Sequence, residues 1–210
     1  MRLKNVKGWW FPEPEQHLTE MVQASGEYQE AHRLYSLRCV KSFRTALDIG
    51  SHVGLWTRDL AAMFQRVIAI EPIAIHRECF QRNVAAANVQ LLPYAAGNKP
   101  GYATFDFNAA NTGNTHICDS ERGDVPVITI DSLNLPDVDY IKIDTEGFEL
   151  HVLEGARETL LRCRPIVNIE QKANSEEFYQ IPRYSASEFL QSLGAKPIGR
   201  VVDDVVFGWT

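Results

Sequence analysis

The segment Asp48-Ile49-Gly50-Ser51-His52-Val53-Gly54 decides how this 210-residue chain is read. It closes Thr45–Ile49, a short apolar run of strand type, and precedes Leu55–Phe64, whose apolar spacing predicts a helix. A strand that ends on glycine and turns into a helix brings backbone close to a ligand. Gly50 and Gly54 carry no Cβ, so one permits tight turning and the other close packing or approach. The free N–H groups of a helix starting near Gly54 point at the same space. Dinucleotide turns have the form G-x-G-x-x-G; here Ser51 and His52 stand where the second glycine would be, and the pattern is Gly50-x-x-x-Gly54.

Outward from the turn, strands and helices alternate. Val67–Glu71, Val89–Ala95, Tyr140–Asp144 and Ile166–Glu170 read as strands. Ile75–Ala87, Glu149–Leu161 and Ser185–Leu193 read as helices, the last with Ser185 and Glu188 as a capping box. Such alternation predicts an α/β fold with a parallel sheet covered on both faces. Two segments depart from it. Gly101–Asn108 and Val125–Ile130 alternate as strands around the polar loop Ala109–Gly123, an inserted β-excursion at about 101–130. Lys196–Val202 and Val205–Trp209 flank Asp203-Asp204 as a closing antiparallel hairpin. Residues 1–44 are expected to form a helical N-terminal extension to a single domain, 45–210. That extension has an aromatic–proline opening, Trp9-Trp10-Phe11-Pro12. Leu18, Met21 and Val22 follow, then Tyr28, Ala31, Leu34, Tyr35, Leu37 and Val40 at helical spacing.

A formal net charge of −6 argues against a global cationic surface, so nucleic acid is not expected as a partner. No apolar run reaches the length of a membrane span. The apolar part of the N-terminus, Gly8 to Pro12, is too short for a signal-peptide core. Cys39, Cys79, Cys118 and Cys163 are scattered without metal spacing. A reduced, cytoplasmic protein is the expectation.

Glu71 ends the second strand about twenty residues beyond Gly50, where an acidic side chain accepts ribose hydroxyls. Pro72 stiffens the turn that carries it. Asp48 at the first strand end attracts an ammonium group, directly or through water, and repels a pyrophosphate. Together with the spacing of the glycines, these features point to S-adenosyl-L-methionine rather than a dinucleotide.

Four segments carry a closer resemblance: ALDIGSHVGLWT (46–57), VIAIEP (67–72), Asn83 with Asn88, and YIKIDTEGFELHVLEGA (140–156). Over roughly residues 45–160 the chain resembles FkbM-type methyltransferases. The resemblance implies a Rossmann-like class I methyltransferase fold, with a mainly parallel seven-stranded sheet and a C-terminal antiparallel hairpin. It also implies O-methylation, often of sugars or related hydroxyls. Residue by residue, it assigns Asp48, Gly50 and Gly54 to the methionine side and Glu71 to the ribose. Ala95 and Ala96 fall where adenine is gripped, and Asp144, Glu146 and Gly147 lie beside the transferable methyl. One departure is His52, where the family usually carries Asn.

Methyl transfer from a sulfonium needs alignment of donor and nucleophile, and a hydroxyl acceptor must also lose a proton. Glu146, Asp144 and Glu170, at strand ends, are the candidates. Glu146 is the first choice for general base or acceptor orientation; Asp144 suits holding the cofactor or Glu146. The three also suit a divalent cation, although no metal is expected, and acidic residues here can simply cap a helix. Ser51 and His52 are counted with the cofactor turn. His52 is open to three roles: base, contact to the methionine carboxylate, or turn residue lending its N–H, the last preferred. His116 lies in the polar loop, and His151 is an ordinary helix residue. Trp9, Trp10 and Phe11 can stack on a ring or pack against the domain. Tyr28 and Gln29 are placed to cover the pocket. The expected acceptor is a small molecule or a glycan; oligomeric state is not encoded in the periodicity. An NAD-dependent oxidoreductase and a non-catalytic S-adenosylmethionine-binding module are the rival readings.

Overall fold

The chain, described over residues 1–209 by a computed structural model, opens with a hairpin, Leu3–Val6 (β1) against Trp9–Pro12 (β2). Helices His17–Ser25 (α1) and Glu30–Leu37 (α2) follow, so the extension is helical only from residue 17. Lys7 and Gly8 both have positive φ, 49° and 88°, as a two-residue turn between twisted strands requires. The alternation in β2 buries Trp9 and Phe11 against Leu18 and Val22 of α1 and against Val53 and Leu55. In α2 the buried face is Arg33, Ser36 and Leu37, while Leu34 and Tyr35 are exposed. Arg33 reaches Asp59 at 2.6 Å, and this ion pair takes the inner face that the apolar spacing had assigned elsewhere.

The core domain begins with Thr45–Ile49 (β3), Thr57–Met63 (α3), Arg66–Ile70 (β4), Ala74–Asn83 (α4) and Val89–Leu92 (β5). β5 stops short of the expected end at Ala95, because Pro93 has no N–H to give the ladder. Ala95–Ala96 (β6) pair instead with Val127 and Ile128 in a second sheet. That sheet is the β-excursion: Gly101–Asp106 (β7), His116–Asp119 (β8) and Val125–Ile128 (β9), in the order β6-β9-β7-β8. The chain returns through Tyr140–Ile143 (β10), Glu149–Glu154 (α5), Arg157–Cys163 (α6) and Ile166–Glu170 (β11). Asn174–Tyr179 (α7), Ser185–Ser192 (α8) and the hairpin Ala195–Val201 (β12), Asp204–Trp209 (β13) complete it.

The predicted helix 149–161 is two helices. A Cβ at Gly155 would lie 2.0 Å from the Gly97 carbonyl oxygen, so the chain bends there. The Asp131 carboxylate then restarts it, accepting the N–H groups of Glu158 and Thr159 at 2.9 and 2.8 Å. The Ser185–Glu188 capping box does not form; the Ser185 N–H donates to the Pro182 carbonyl instead. α7 has six residues, too few for a periodic signal.

The main sheet has seven strands in the order β12-β13-β11-β10-β3-β4-β5, with β13 antiparallel to its neighbours. Strand order reverses between β3 and β10, and open α/β sheets bind ligands outside the carboxyl ends at such a point. Alternation divides the two faces. Leu47, Ile49, Ile141 and Ile143 pack with Val152, Leu153 and Leu160 on one side. Ala46 and Tyr140 pack with Leu37, Trp56 and Leu60 on the other. Asp48 and Lys142, two residues further along their strands, share that second face and are register partners. No helix among the described residues is long and apolar enough to cross a membrane.

Candidate active site

The glycine turn is shaped by what crosses it. Gly50 has φ 77°, and a Cβ there would lie 1.8 Å from the Asp144 carbonyl oxygen. The loops after β3 and β10 therefore touch only because residue 50 has no side chain. Gly54, with φ 90°, has a different neighbour: its Cβ would meet Val84 Cγ2 at 2.6 Å, so it serves packing against α4. α3 begins at Thr57 rather than near Gly54, and the turn's own amides are used internally. Gly50 and Ser51 donate to the Ile70 carbonyl, and the His52 N–H donates to Glu71 Oε2 at 2.9 Å.

Two cavities meet over this turn. One, with about 550 Å³ of empty space that opens to solvent, is lined by Glu71, Pro72, Ala95, Ala96, Phe105 and Phe148 among others. The second, with about 430 Å³ and likewise open, is lined by Leu18, Tyr28, Ser51, Trp56 and Lys142. Gly50, His52, Asp144 and Glu146 border both. Of the residues expected to hold cofactor, Gly50, Ser51, His52, Glu71, Pro72, Ala95, Ala96 and Asp144 border a cavity, while Asp48 and Gly54 border neither.

Glu71 is buried and already accepts three donors: the N–H groups of His52 and Ile73 at 2.9 and 2.8 Å, and His76 Nδ1 at 3.1 Å. A carboxylate has about four lone-pair positions, so Glu71 is held rigidly with one left for a ligand. His52 is fixed through its ring. Thr112 Oγ1 donates to Glu15 Oε2 at 2.6 Å and accepts from His52 Nε2 at 2.8 Å, which leaves the His52 lone pair on Nδ1. Burial, the neighbouring His76 ring and Lys142 hold this imidazole well below the usual histidine range, and therefore neutral. Ser51 Oγ, His52 Nδ1 and His76 Nε2 are buried without hydrogen-bond partners. Such orphans are costly unless a ligand or water satisfies them.

Glu15 ties the extension to the loop after β7. Its carboxylate also accepts the N–H groups of Leu18 and Thr112 at 2.8 and 2.5 Å. Replacing Thr112 by Val should cost about 1–3 kcal/mol, because a buried carboxylate and a buried imidazole each lose a partner. Chemical denaturation would show it as a lower midpoint at unchanged slope.

The carboxylates differ sharply from one another. Asp48 is fully buried, bonded to Thr57 Oγ1 at 2.5 Å and 3.9 Å from Lys142 Nζ. It anchors the turn from behind, because the alternation of β3 turns residue 48 toward the α2–α3 layer. Burial alone would raise the Asp144 carboxyl, but the ammonium groups of Lys142, at 3.2 Å, and Lys172 hold it below its ordinary value. Glu146 is 7% exposed and sits at φ 53°, a strained conformation for a residue with a Cβ. Burial and the Asp144 charge push its carboxyl up to about 8, and Asn174 Nδ2 donates to its Oε2. Glu170 is likewise raised by burial and by Asp144. Neither Asp144 nor Glu146 caps α5, whose start has no side-chain cap, and Glu149 instead ties down the loop that leads into it. Its carboxylate gathers the Thr145 N–H, the Thr145 hydroxyl and the Gly147 N–H at 2.9, 3.1 and 3.0 Å.

The extension supplies one wall. Arg33 donates to the Tyr28 carbonyl at 2.8 Å, and Trp56 Nε1 donates to Gln29 Oε1 at 2.8 Å, so Tyr28 is held over Asp144 and Glu146. Trp9, Trp10 and Phe11 border neither cavity. The first and last are core, and Trp10 exchanges backbone hydrogen bonds with the Asn83 side chain. His116 stacks on Phe178 at 3.7 Å and itself borders neither cavity, although its neighbours Thr115 and Ile117 line the first. Sequence reading missed Lys142, Lys172, Glu15, Thr112 and His76 as site residues. Lys142 had a signal, being a charge inside an apolar strand, and Lys172 had one, two residues past the strand-end Glu170.

No curated protein matches the chain. Among solved structures it is similar to methyltransferase FkbM from Methylobacillus flagellatus KT, at 19% identity and TM-score 0.54, over 80% of this chain and 44% of that one. The chain thus spans less than half of that relative. It is also similar to precorrin-8w decarboxylase of Methanobacterium thermoautotrophicum, at 16% identity and TM-score 0.52, over 87% and 90% of the two chains. A third is an rRNA methylase from Streptococcus thermophilus, at 11% identity and TM-score 0.51, over 86% and 95%. At these identities the likeness is one of fold, that of class I methyltransferases. The methyltransferase FkbM domain itself matches residues 48–196, most of the chain and the whole of the glycine turn, both cavity floors and the carboxylate cluster. That match sets the oxidoreductase alternative aside: the chain belongs to the FkbM methyltransferase family, whose cofactor is S-adenosylmethionine.

Proposed function

We propose that the chain transfers the methyl group of S-adenosylmethionine to a hydroxyl oxygen of a small, uncharged acceptor, with Glu146 taking the hydroxyl proton. The observation that carries this reading is the position of Glu146. It borders both cavities, is buried, and is raised to about 8, which suits a base that must accept and release a proton near neutral pH.

In this reading Glu71, with its remaining lone pair, holds a ribose hydroxyl, and Ala95 and Ala96 with Phe105 and Phe148 flank the adenine in the larger cavity. The orphan atoms Ser51 Oγ, His52 Nδ1 and His76 Nε2 supply polar partners, which fits a ligand rich in hydroxyl and amino groups. Bound there, S-adenosylmethionine supplies an electrophilic methyl whose transfer discharges the sulfonium. Asp144, kept ionised by Lys142, provides negative potential beside that cation. Tyr28, Leu18 and Trp56 cover the smaller cavity and exclude water from the acceptor. The Glu146 carboxylate draws the proton from the acceptor hydroxyl as its oxygen advances. An anionic acceptor would have to stand beside the ionised Asp144 and against a Glu146 that must itself become negative to act as base, so anionic acceptors are disfavoured.

A library of small alcohols, phenols and sugars, each paired with a phosphorylated or carboxylated counterpart, tests this through release of S-adenosylhomocysteine. Turnover is expected with uncharged members and not with their anionic counterparts. Turnover confined to nitrogen nucleophiles or to anionic acceptors would overturn the reading.

A further inference from the structure

We propose that Lys172 is the resident cation of the carboxylate cluster, its ammonium filling the place that a divalent ion would take among Asp144, Glu146 and Glu170. The cluster has the make-up of a cation site: one oxygen from each of the three residues lies within 4.8 Å of the others. Hard divalent cations bind such oxygens at about 2.0–2.6 Å. Into the same space reaches Lys172 Nζ, 2.8 Å from Glu170 Oε1 and 3.8 Å from Glu146 Oε1. An ammonium and a metal ion cannot share that volume, because each would lose its carboxylate partners to a like charge.

The arrangement is built in by the chain. Lys172 stands two residues past Glu170, the last residue of β11, and the intervening Gln171 is buried, its N–H bonded to the Asp203 carbonyl and its side chain to Ser187 and Arg183. The lysine stem is thereby anchored, and the head is carried over the strand end with its side chain 39% exposed. Lys142 performs the matching task from the opposite side, 3.2 Å from Asp144 and 3.9 Å from Asp48. Asn174 completes Glu146 as a neutral donor to the oxygen that Lys172 does not face. Lys172 is thus a positioning residue: it holds Glu170 and fixes the orientation of Glu146 without touching the acceptor. Its role as cation concerns the cluster itself; only the consequence for catalysis rests on the reading of Glu146 as the base.

Manganese(II) titration followed by electron paramagnetic resonance tests this on the full chain without any acceptor, so its failure and that of the transfer reading are distinguishable. Lys172→Ala should bind one manganese ion at least about tenfold more tightly than the unaltered protein, since the carboxylates then face each other uncompensated. Lys172→Arg should bind no more tightly than the unaltered protein, and Lys172→Ala combined with Glu170→Gln should lose the gain. Should Lys172→Ala fail to fold, Lys172→Met keeps the stem and removes only the charge. Equal manganese affinity in the unaltered protein and in a folded charge-removed variant overturns the proposal, whether both bind or neither does.

Discussion

Exchange of Glu146 for Gln is expected to slow methyl transfer by about 10²–10⁴-fold, the usual worth of a positioned general base, with little change in affinity for S-adenosylhomocysteine. The amide keeps the size of the side chain and its contact with Asn174 but cannot take a proton. The pH dependence follows from the same environment. Burial, the Asp144 charge and the nearby Glu149 hold the Glu146 proton up to a pKa of about 8, against the partial relief from Lys172 and Lys142. Transfer by the unaltered protein should therefore rise with pH through about 8 and level off above it, an ascending limb that Glu146→Gln lacks. Stability moves in the opposite sense. The folded pKa lies above the ordinary glutamate range, so the folded state keeps a proton that the unfolded chain has lost. The stabilisation from that proton is complete below the unfolded pKa and is lost as pH rises through about 8. Melting scans at pH 6 and pH 9 should show Glu146→Gln gaining on the unaltered protein at the higher pH. A flat rate profile, together with a pH-independent difference in melting, would contradict the assignment.

The second large effect is expected at Gly50. An alanine Cβ there would stand 1.8 Å from the Asp144 carbonyl oxygen and 3.0 Å from its carbon, at a φ of 77° that L side chains rarely adopt. Both obstacles are backbone, which cannot swing aside as a side chain does. A loss of about 3–5 kcal/mol follows, seen as a melting temperature lower by roughly 10 °C. Cofactor affinity should fall with it, since the two loops that part are those bordering both cavities. Gly54→Ala is the comparison: its φ of 90° is strained as well, but its Cβ meets the side chains of Val84 and Phe80 rather than backbone, so a smaller loss is expected. If Gly50→Ala melts with the unaltered protein, the crossing of the two loops is not what requires the glycine.

How much of this was legible in the sequence depends on distance along the chain. The glycine turn, the acidic strand ends and the closing hairpin are local patterns, and each stands where its spacing predicts. Asp48 shows the limit of such reading. A carboxylate at a strand end looks ligand-facing, but alternation in β3 carries it under the turn, where Thr57 and Lys142 use it. That outcome is set by register against β10, which no local pattern states. Glu15 and Thr112 are 97 residues apart, and nothing in either neighbourhood announces the bond. The hairpin at residues 3–12 was hidden for a different reason. Adjacent tryptophans obscure a period of two, and the turn signal is a single glycine after Lys7. Glu149 was hidden by its neighbour, since Glu146 and Glu149 are interchangeable as helix-start acids until the loop geometry separates them.

On the proposed reading, S-adenosylmethionine occupies the cleft between Glu71 and Glu146. Calorimetric titration with S-adenosylhomocysteine, in parallel on the unaltered protein and on Glu71→Ala, tests it most directly. Saturable one-to-one binding is predicted, weakened at least about tenfold when the charge-assisted bond from Glu71 to a ribose hydroxyl is removed, a loss of roughly 1.4 kcal/mol or more. No heat at millimolar ligand, or equal binding by the two proteins, would contradict it.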